Sequence, residues 1–361
     1  MIDPQQIGTQ SAGIENSLNP FVNSENQFGK EQRYSNQNNT FDSHKSIKKI
    51  KITKKIPELR VICLILRNEA HFLEEWLDFH FLTGWTKIAL WDHNSTDHLK
   101  DILQKYPESL IDYEYVPWEK VGGMLAMINI QQEYYPKCFE RYWQRAQVIG
   151  IFDVDEFVFP SALSWGAKDP LFDSFKNMKV VRNDSISMIT LMECYKFGSI
   201  SNETLIPTLE SYTKRAAYTP DEENTITDLI QRSRPFCDNF WANPKCTSRG
   251  SHKALYFPNG QQHISINPSI HGPTNGRKGP TWNWFDSRPY RNTGFINCNH
   301  YFYRSFQEIK KKAIKNRSKH YQVISDLPPS HDYWLLYIAI NDTLILDFIQ
   351  SLESSKAFIE N

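Results

Sequence analysis

Residues 59–66 read LRVICLIL, an apolar run interrupted only by Arg60. A strand with one wet face alternates apolar and polar residues. An unbroken run of this length fits a strand buried on both faces, as in a parallel sheet covered by helices. The segment that follows, EAHFLEEWLDFHFLTG (69–84), places Phe72, Leu73, Trp76, Leu77 and His80 at helical spacing, with Gly84 after the last turn. It predicts an amphipathic helix with a stop signal. KIALW (87–91) reads as a second strand, and Ser95 or Thr96 is placed to cap a helix carrying Leu99, Ile102, Leu103 and Tyr106 that ends before Pro107. IDYEYV (111–116) is a third strand, 124–147 a helix and VIGIF (148–152) a fourth strand. Strands alternating with helices predict an α/β fold around a Rossmann-like, doubly wound parallel sheet. Such sheets bind ligands in the crevice outside the carboxyl ends of their strands.

The remainder is less regular. SISMITLMEC (185–194) reads as a strand, 216–296 as loop-rich, SFQEIKKKAIKN (305–316) as a helix, and 332–352 as a closing helix or pair of helices. Residues 1–56 are rich in Asn, Gln and Ser and poor in aliphatics, so a disordered or loosely attached tail is expected. The domain then spans 57–325, and 326–361 is a helical extension packed on it. KSIKKIKITKK (45–55) reads as a solvated linker rather than a membrane-surface or nucleic-acid patch. Lys and Arg number 41 and Asp and Glu 41, which argues against a chain built to coat nucleic acid. No apolar run reaches the roughly 18 residues a membrane span needs. Residues 1–30 lack the apolar stretch of a signal peptide. These features predict a soluble, cytoplasmic, reduced setting. None of the six cysteines is in CxxC spacing, and Cys63 reads as a small buried hydrophobe.

Against that apolar frame, VIGIFDVDEFVFP (148–160) sets Asp153, Asp155 and Glu156 at the exit of a core strand. Unpaired buried charges cost several kcal/mol, so partners are required. Two Asp separated by one residue can aim hard oxygens at one divalent cation, Mn²⁺ or Mg²⁺. A cation there would neutralise a diphosphate and turn a nucleoside diphosphate into a leaving group. WDHNSTD (91–97) puts Asp92 at a second strand exit, with Asn94, Ser95 and Thr96 at a helix N-terminus. Arg67, Asn68 and Glu69 follow the first strand. Three polar clusters thus face one predicted crevice.

Together these segments resemble glycosyltransferase family 92 and its family 2-like relatives. RNEAHFLEEWLDFHFLTGWTKIALWDHNSTD is similar to the family's opening, and FDVDEFVFP to its D-x-D-E-F element. CYKFGS (194–199), ESYTKR (210–215), HKALYFP (252–258), SIHG (269–272) and NHYFYRSFQEIKKK (299–312) resemble later segments in the same order. The resemblance implies a GT-A fold and transfer of a sugar from a nucleotide donor, UDP-sugar favoured, to a glycan, protein or lipid acceptor. It implies that Asp153 and Asp155 hold the metal, with His271 completing the set and His300 a competing choice. Arg67, Asn68, Glu69, Asp92 and Asn94 are expected at the nucleoside, Asp92 accepting hydrogen bonds from uracil or ribose. Lys253 is either a phosphate contact or a solvated lysine. Trp282, Trp284 and Tyr290 are either sugar-stacking or core residues.

An inverting transfer, which also rests on the resemblance, needs a general base beside the acceptor hydroxyl. Glu193 is preferred over Glu156, which is a poor base if held by metal or a core cation. Two other readings stand beside this one: a metal-dependent phosphohydrolase or nucleotidyltransferase, and a non-catalytic carbohydrate-binding or scaffold protein on the same fold. The first strand is followed by no glycine-rich phosphate loop. A scaffold has no need to gather acids at strand exits.

Overall fold

The computed structural model describes residues 59–117, 125–182, 189–216, 224–225, 228, 231, 252–258, 266–267, 272–273, 295–316, 326–327 and 335–357. The polar segment 1–56 and the basic run 45–55 lie outside them, as do the aromatic residues at 282, 284 and 290.

The first half follows the expected alternation. Strand β1 (Leu59–Leu66) leads to helix α1 (Ala70–Thr83), β2 (Lys87–Asp92), α2 (Leu99–Leu103), β3 (Ile111–Tyr115), α3 (Leu125–Tyr142) and β4 (Ala146–Ile151). These four strands lie parallel in the order β3-β2-β1-β4. The sheet is completed by β9 (His252–Tyr256), antiparallel to β4, and β6 (Ile189–Glu193), antiparallel to β9. The result is a mixed α/β fold with a mostly parallel sheet flanked by helices.

The apolar run of β1 does what its composition requires. Ile62, Leu64 and Leu66 enter one core with α1, while Val61, Cys63 and Ile65 enter a second core with α3. Gly84 ends α1 in the left-handed region, at φ 107. A Cβ there would lie 2.8 Å from the Arg60 guanidinium, so both backbone sign and space favour glycine. Neither Ser95 nor Thr96 caps α2, whose first flanking residue is His98. Ser95 Oγ instead accepts the Asn68 amide, and Asp97 accepts the Ala70 amide at the start of α1.

A second sheet is the feature the sequence pattern did not announce. It has the order β13-β8-β7-β12-β5, formed by β5 (Glu156–Pro160), β7 (Tyr195–Gly198), β8 (Lys214–Arg215), β12 (Ile296–Tyr303) and β13 (Ile340–Asn341). Two further short strands, β10 (Ile266–Asn267) and β11 (Gly272–Pro273), pair with each other. Two short crossings lead from the first sheet to the second: between β4 and β5 through Asp153–Asp155, and between β6 and β7 at Cys194. The remaining helices are α4 (Pro170–Arg182), α5 (Thr208–Ser211), α6 (Phe306–Asn316) and α7 (Leu344–Ala357).

The segment read as a closing helix or helix pair is interrupted. Leu336–Ile338 forms a 3₁₀ turn, β13 pairs with β8, and α7 begins only after Asp342, whose carboxylate accepts the Leu344 amide. Asn341-Asp342-Thr343 supplies the start of α7. Ile345 and Phe348 of α7 are buried in the core that α1 also faces.

The cysteines depart from the reduced-thiol expectation. Cys63 is buried, but it is bonded to Cys138 of α3, and Cys194 is bonded to Cys298 of β12. Among the described residues no cysteine is free. Among the same residues no helix is long and apolar enough to cross a membrane.

Candidate active site

The turn that leaves β4 carries the acidic cluster across to β5. Its shape is local: the Glu156 amide donates to the Asp153 carbonyl, and the Asp153 amide donates to Glu156 Oε2. The second sheet then grips it, because the Tyr301 amide donates to the Asp155 carbonyl and Arg304 donates to the Val154 carbonyl. Helix α1 holds β5 from the other side. Trp76 Nε1 donates to the Glu156 carbonyl at 2.8 Å, and His80 Nε2 accepts the Val158 amide at 3.4 Å. The helical pattern of tryptophan and histidine thus positions the acidic turn rather than contacting a ligand. Glu75, their neighbour, accepts the Thr208 and Leu209 amides at the start of α5.

His300 reaches the cluster through strand register. In the antiparallel pairing of β12 with β5, His300 stands opposite Glu156. Asp155, Glu156 and His300 each offer a ligand atom, and these atoms lie within 4.8 Å of one another. Glu156 is fully buried, and its Oε1 accepts no hydrogen bond among the described residues. Two carboxylates and an imidazole form a donor set suited to Mn²⁺ or Mg²⁺, and a buried carboxylate oxygen left over inside it fits such an ion. His271, expected to complete the set, lies outside the described residues.

The acids are countered by lysines. Lys253 of β9 is 2.8 Å from Asp153 and 3.0 Å from Glu156, while Lys312 of α6 is 2.7 Å from Asp155. Lys253 is buried, which excludes the solvated reading. Burial works against its charge, but Asp153 and Glu156 raise its pKa above the usual lysine value. Burial pushes the Glu156 carboxyl up, with Lys253 opposing. Burial also acts on Asp155, but Lys312 and His300 beside it hold its carboxyl well below the usual range. Burial lowers His300, against the pull of Asp155. Asp153 is the more open carboxylate, with its side chain 37% exposed against 14% for Asp155.

The neighbouring strand exits are tied together. Asn68 and Asn94 both adopt positive φ, 53 and 54. Asn68 Oδ1 accepts the Thr96 amide. Asp92, buried at the end of β2, accepts the Ser95 amide and the Tyr113 hydroxyl, and Tyr115 donates to Asn94. Arg67 is partly buried and Glu69 precedes α1 without capping it through its side chain. Glu193 ends β6 opposite His252, one residue before the second crossing between sheets. Its side chain lies outside the described residues.

Sequence reasoning missed Lys312 and the pinning roles of Trp76, His80 and Glu75. One signal was available for the helix that carries Lys312. Ser305-x-x-Glu308 is a helix-start pattern, and Ser305 Oγ accepts the Glu308 amide.

Residues 60–214 match the family model of glycosyltransferase family 92. A family 92 protein of Ricinus communis is 29% identical over 149 residues, covering 39% of this chain and 23% of its own length. One of Arabidopsis thaliana is 24% identical over 300 residues, covering 80% of this chain and 46% of its own. Residues 60–214 are thus similar to glycosyltransferase family 92, and the chain spans less than half the length of these curated relatives. Among solved structures, glucosyl-3-phosphoglycerate synthase from Mycobacterium tuberculosis, in complex with Mn²⁺, UDP and glucosyl-3-phosphoglycerate, aligns at TM-score 0.27 and 12% identity, covering 56% of this chain and 57% of that one. A mycobacterial protein aligns at TM-score 0.30 and 10% identity, covering 67% and 65%.

Proposed function

We propose that this chain is a metal-dependent glycosyltransferase of GT-A type, transferring a sugar from a nucleotide donor, UDP-sugar favoured, with inversion. The observation that carries the reading is the convergence of Asp155, Glu156 and His300 where the two sheets meet. Asp155, Glu156 and His300 would hold Mn²⁺ or Mg²⁺, with Asp153 joining once it leaves Lys253. When bound, the ion supplies positive charge that stabilises a departing diphosphate.

The chain's own residues do the rest. Asp92, with Asn94 and Asn68 on the adjoining turns, offers acceptors for ribose hydroxyls or a base N–H. Arg67 and Glu69 border the same strand exit. Glu156 is buried against Lys253, which leaves it poorly placed to take a proton from an acceptor hydroxyl. Glu193, at the second crossing between sheets, is assigned that task. The acceptor is a glycan, protein or lipid hydroxyl.

The test is a screen of nucleotide sugars for Mn²⁺-dependent hydrolysis, which needs no acceptor. Release of a nucleoside diphosphate that stops on chelation, and that Asp155→Asn abolishes while the melting temperature holds, supports the assignment. Hydrolysis that persists with chelator, or in Asp155→Asn, overturns it.

A further inference from the structure

The acidic turn is already neutralised from within. Among the described residues, three carboxylates face the ammonium groups of Lys253 and Lys312 and the Arg304 guanidinium, which donates to the Val154 carbonyl. A dication arriving alone meets little net negative charge and competes directly with Lys312 for Asp155. The two lysines are not equivalent. Lys253 sits on a strand inside the sheet and bridges two acids. Lys312 projects from α6 with its side chain 18% exposed, and its ammonium also donates to the Phe302 carbonyl and lies 4.8 Å from the Phe302 ring.

The base of α6 is fixed by contacts that do not involve the Lys312 ammonium. One turn before Lys312, Glu308 accepts from Thr204 and Lys311 and lies 3.8 Å from His71. Residues four apart share a helix face, so that anchor keeps Lys312 aimed at the acidic turn. The four-carbon stem still lets the ammonium swing by rotamer change.

We propose that Lys312 is an internal counter-cation of Asp155, displaced when a divalent ion enters and then free to pair with the diphosphate oxygens of the donor. Ion and diphosphate therefore bind as a coupled pair, each improving the site for the other. The proposal rests on the metal-site reading above and adds a donor-binding residue to it.

The experiment measures Mn²⁺ binding to the full chain by electron paramagnetic resonance, with and without UDP, and UDP binding by calorimetry. Wild type, Lys312→Met, Lys312→Gln and Lys312→Arg are compared after their melting temperatures establish folding. Removing the charge should tighten Mn²⁺ binding without nucleotide at least tenfold and weaken UDP binding in the presence of Mn²⁺ at least tenfold. Lys312→Arg should stay near wild type. Opposite shifts in the two affinities are not produced by a merely structural lysine. Equal Mn²⁺ affinity in wild type and both neutral variants overturns the counter-cation role while leaving the metal site standing. Failure of every folded variant and of wild type to bind Mn²⁺, even with UDP, overturns both. If the neutral variants do not fold, wild type alone decides. Mn²⁺ affinity unchanged by UDP refutes the coupling, and affinity raised by UDP well beyond the chelation UDP gives in solution supports it.

Discussion

His80 provides a sharp thermodynamic test of how α1 is buried. Its ring is fully enclosed among Trp76, Phe79, Phe152 and Phe157. Nδ1 lies 2.8 Å from the Trp76 carbonyl and must donate to it, while Nε2 faces the Val158 amide and must accept. Both roles are filled only by the neutral ring. Burial lowers its pKa from 6.5 to about 3, partly offset by the bond to Trp76. Between those values the unfolded chain binds a proton that the folded chain refuses. Stability from this group is therefore complete above pH 6.5 and falls as pH drops toward 3. Integrating the difference gives a loss of about 2 kcal/mol by pH 5 and about 4 kcal/mol by pH 3. Urea unfolding of wild type and His80→Asn, which keeps a donor near the Nδ1 position but cannot titrate, isolates the effect. The variant should be less stable at pH 8, yet lose about 2 kcal/mol less than wild type between pH 8 and pH 5. Parallel stability curves for the two proteins would refute the neutral-ring argument.

Further outcomes follow from the same contacts. Peptide mapping without reductant should recover Cys63 joined to Cys138 and Cys194 joined to Cys298. Replacing Cys63 and Cys138 by Ala should cost about 4 kcal/mol, since that bond closes a separation of 75 residues; a loss below about 1 kcal/mol in urea unfolding would contradict it. Trp76→Phe removes the donor to the Glu156 carbonyl and should destabilise by about 1 kcal/mol or more, read by the same unfolding assay. Asp92→Ala should raise the donor KM at least tenfold in the hydrolysis assay while leaving Mn²⁺ affinity alone; an unchanged KM would remove Asp92 from the nucleoside site.

What the sequence disclosed was whatever local pattern determines. The two-faced burial of β1, the amphipathic α1 with Gly84 at its end, and the acidic turn after β4 all follow from spacing within a few residues. The second sheet was hidden because most of its strands are short and it pairs segments far apart in the chain. β8 and β13 are two residues each, with no periodicity to detect. His300 could be weighed only as one histidine among others, since its place beside Glu156 is set by the β5–β12 register. Lys253 reads either as a phosphate contact or as a solvated lysine for the same reason: nothing near residue 253 shows that β9 inserts antiparallel between β4 and β6. The disulfide partners were equally invisible, because connectivity is a property of the folded chain and not of cysteine spacing. Asp97 shows how a polar strand exit can serve the fold. It closes the polar segment WDHNSTD, and its carboxylate receives the first amide of α1.

The crossing between sheets has a consequence for how the protein is made. Asp155 and Glu156 leave the ribosome well before His300, which arrives only with β12. A nascent chain that has finished its parallel sheet holds the acids without the imidazole. Ion capture would then report final assembly, so a truncation ending before residue 296 should fold its first layer and stay blind to Mn²⁺.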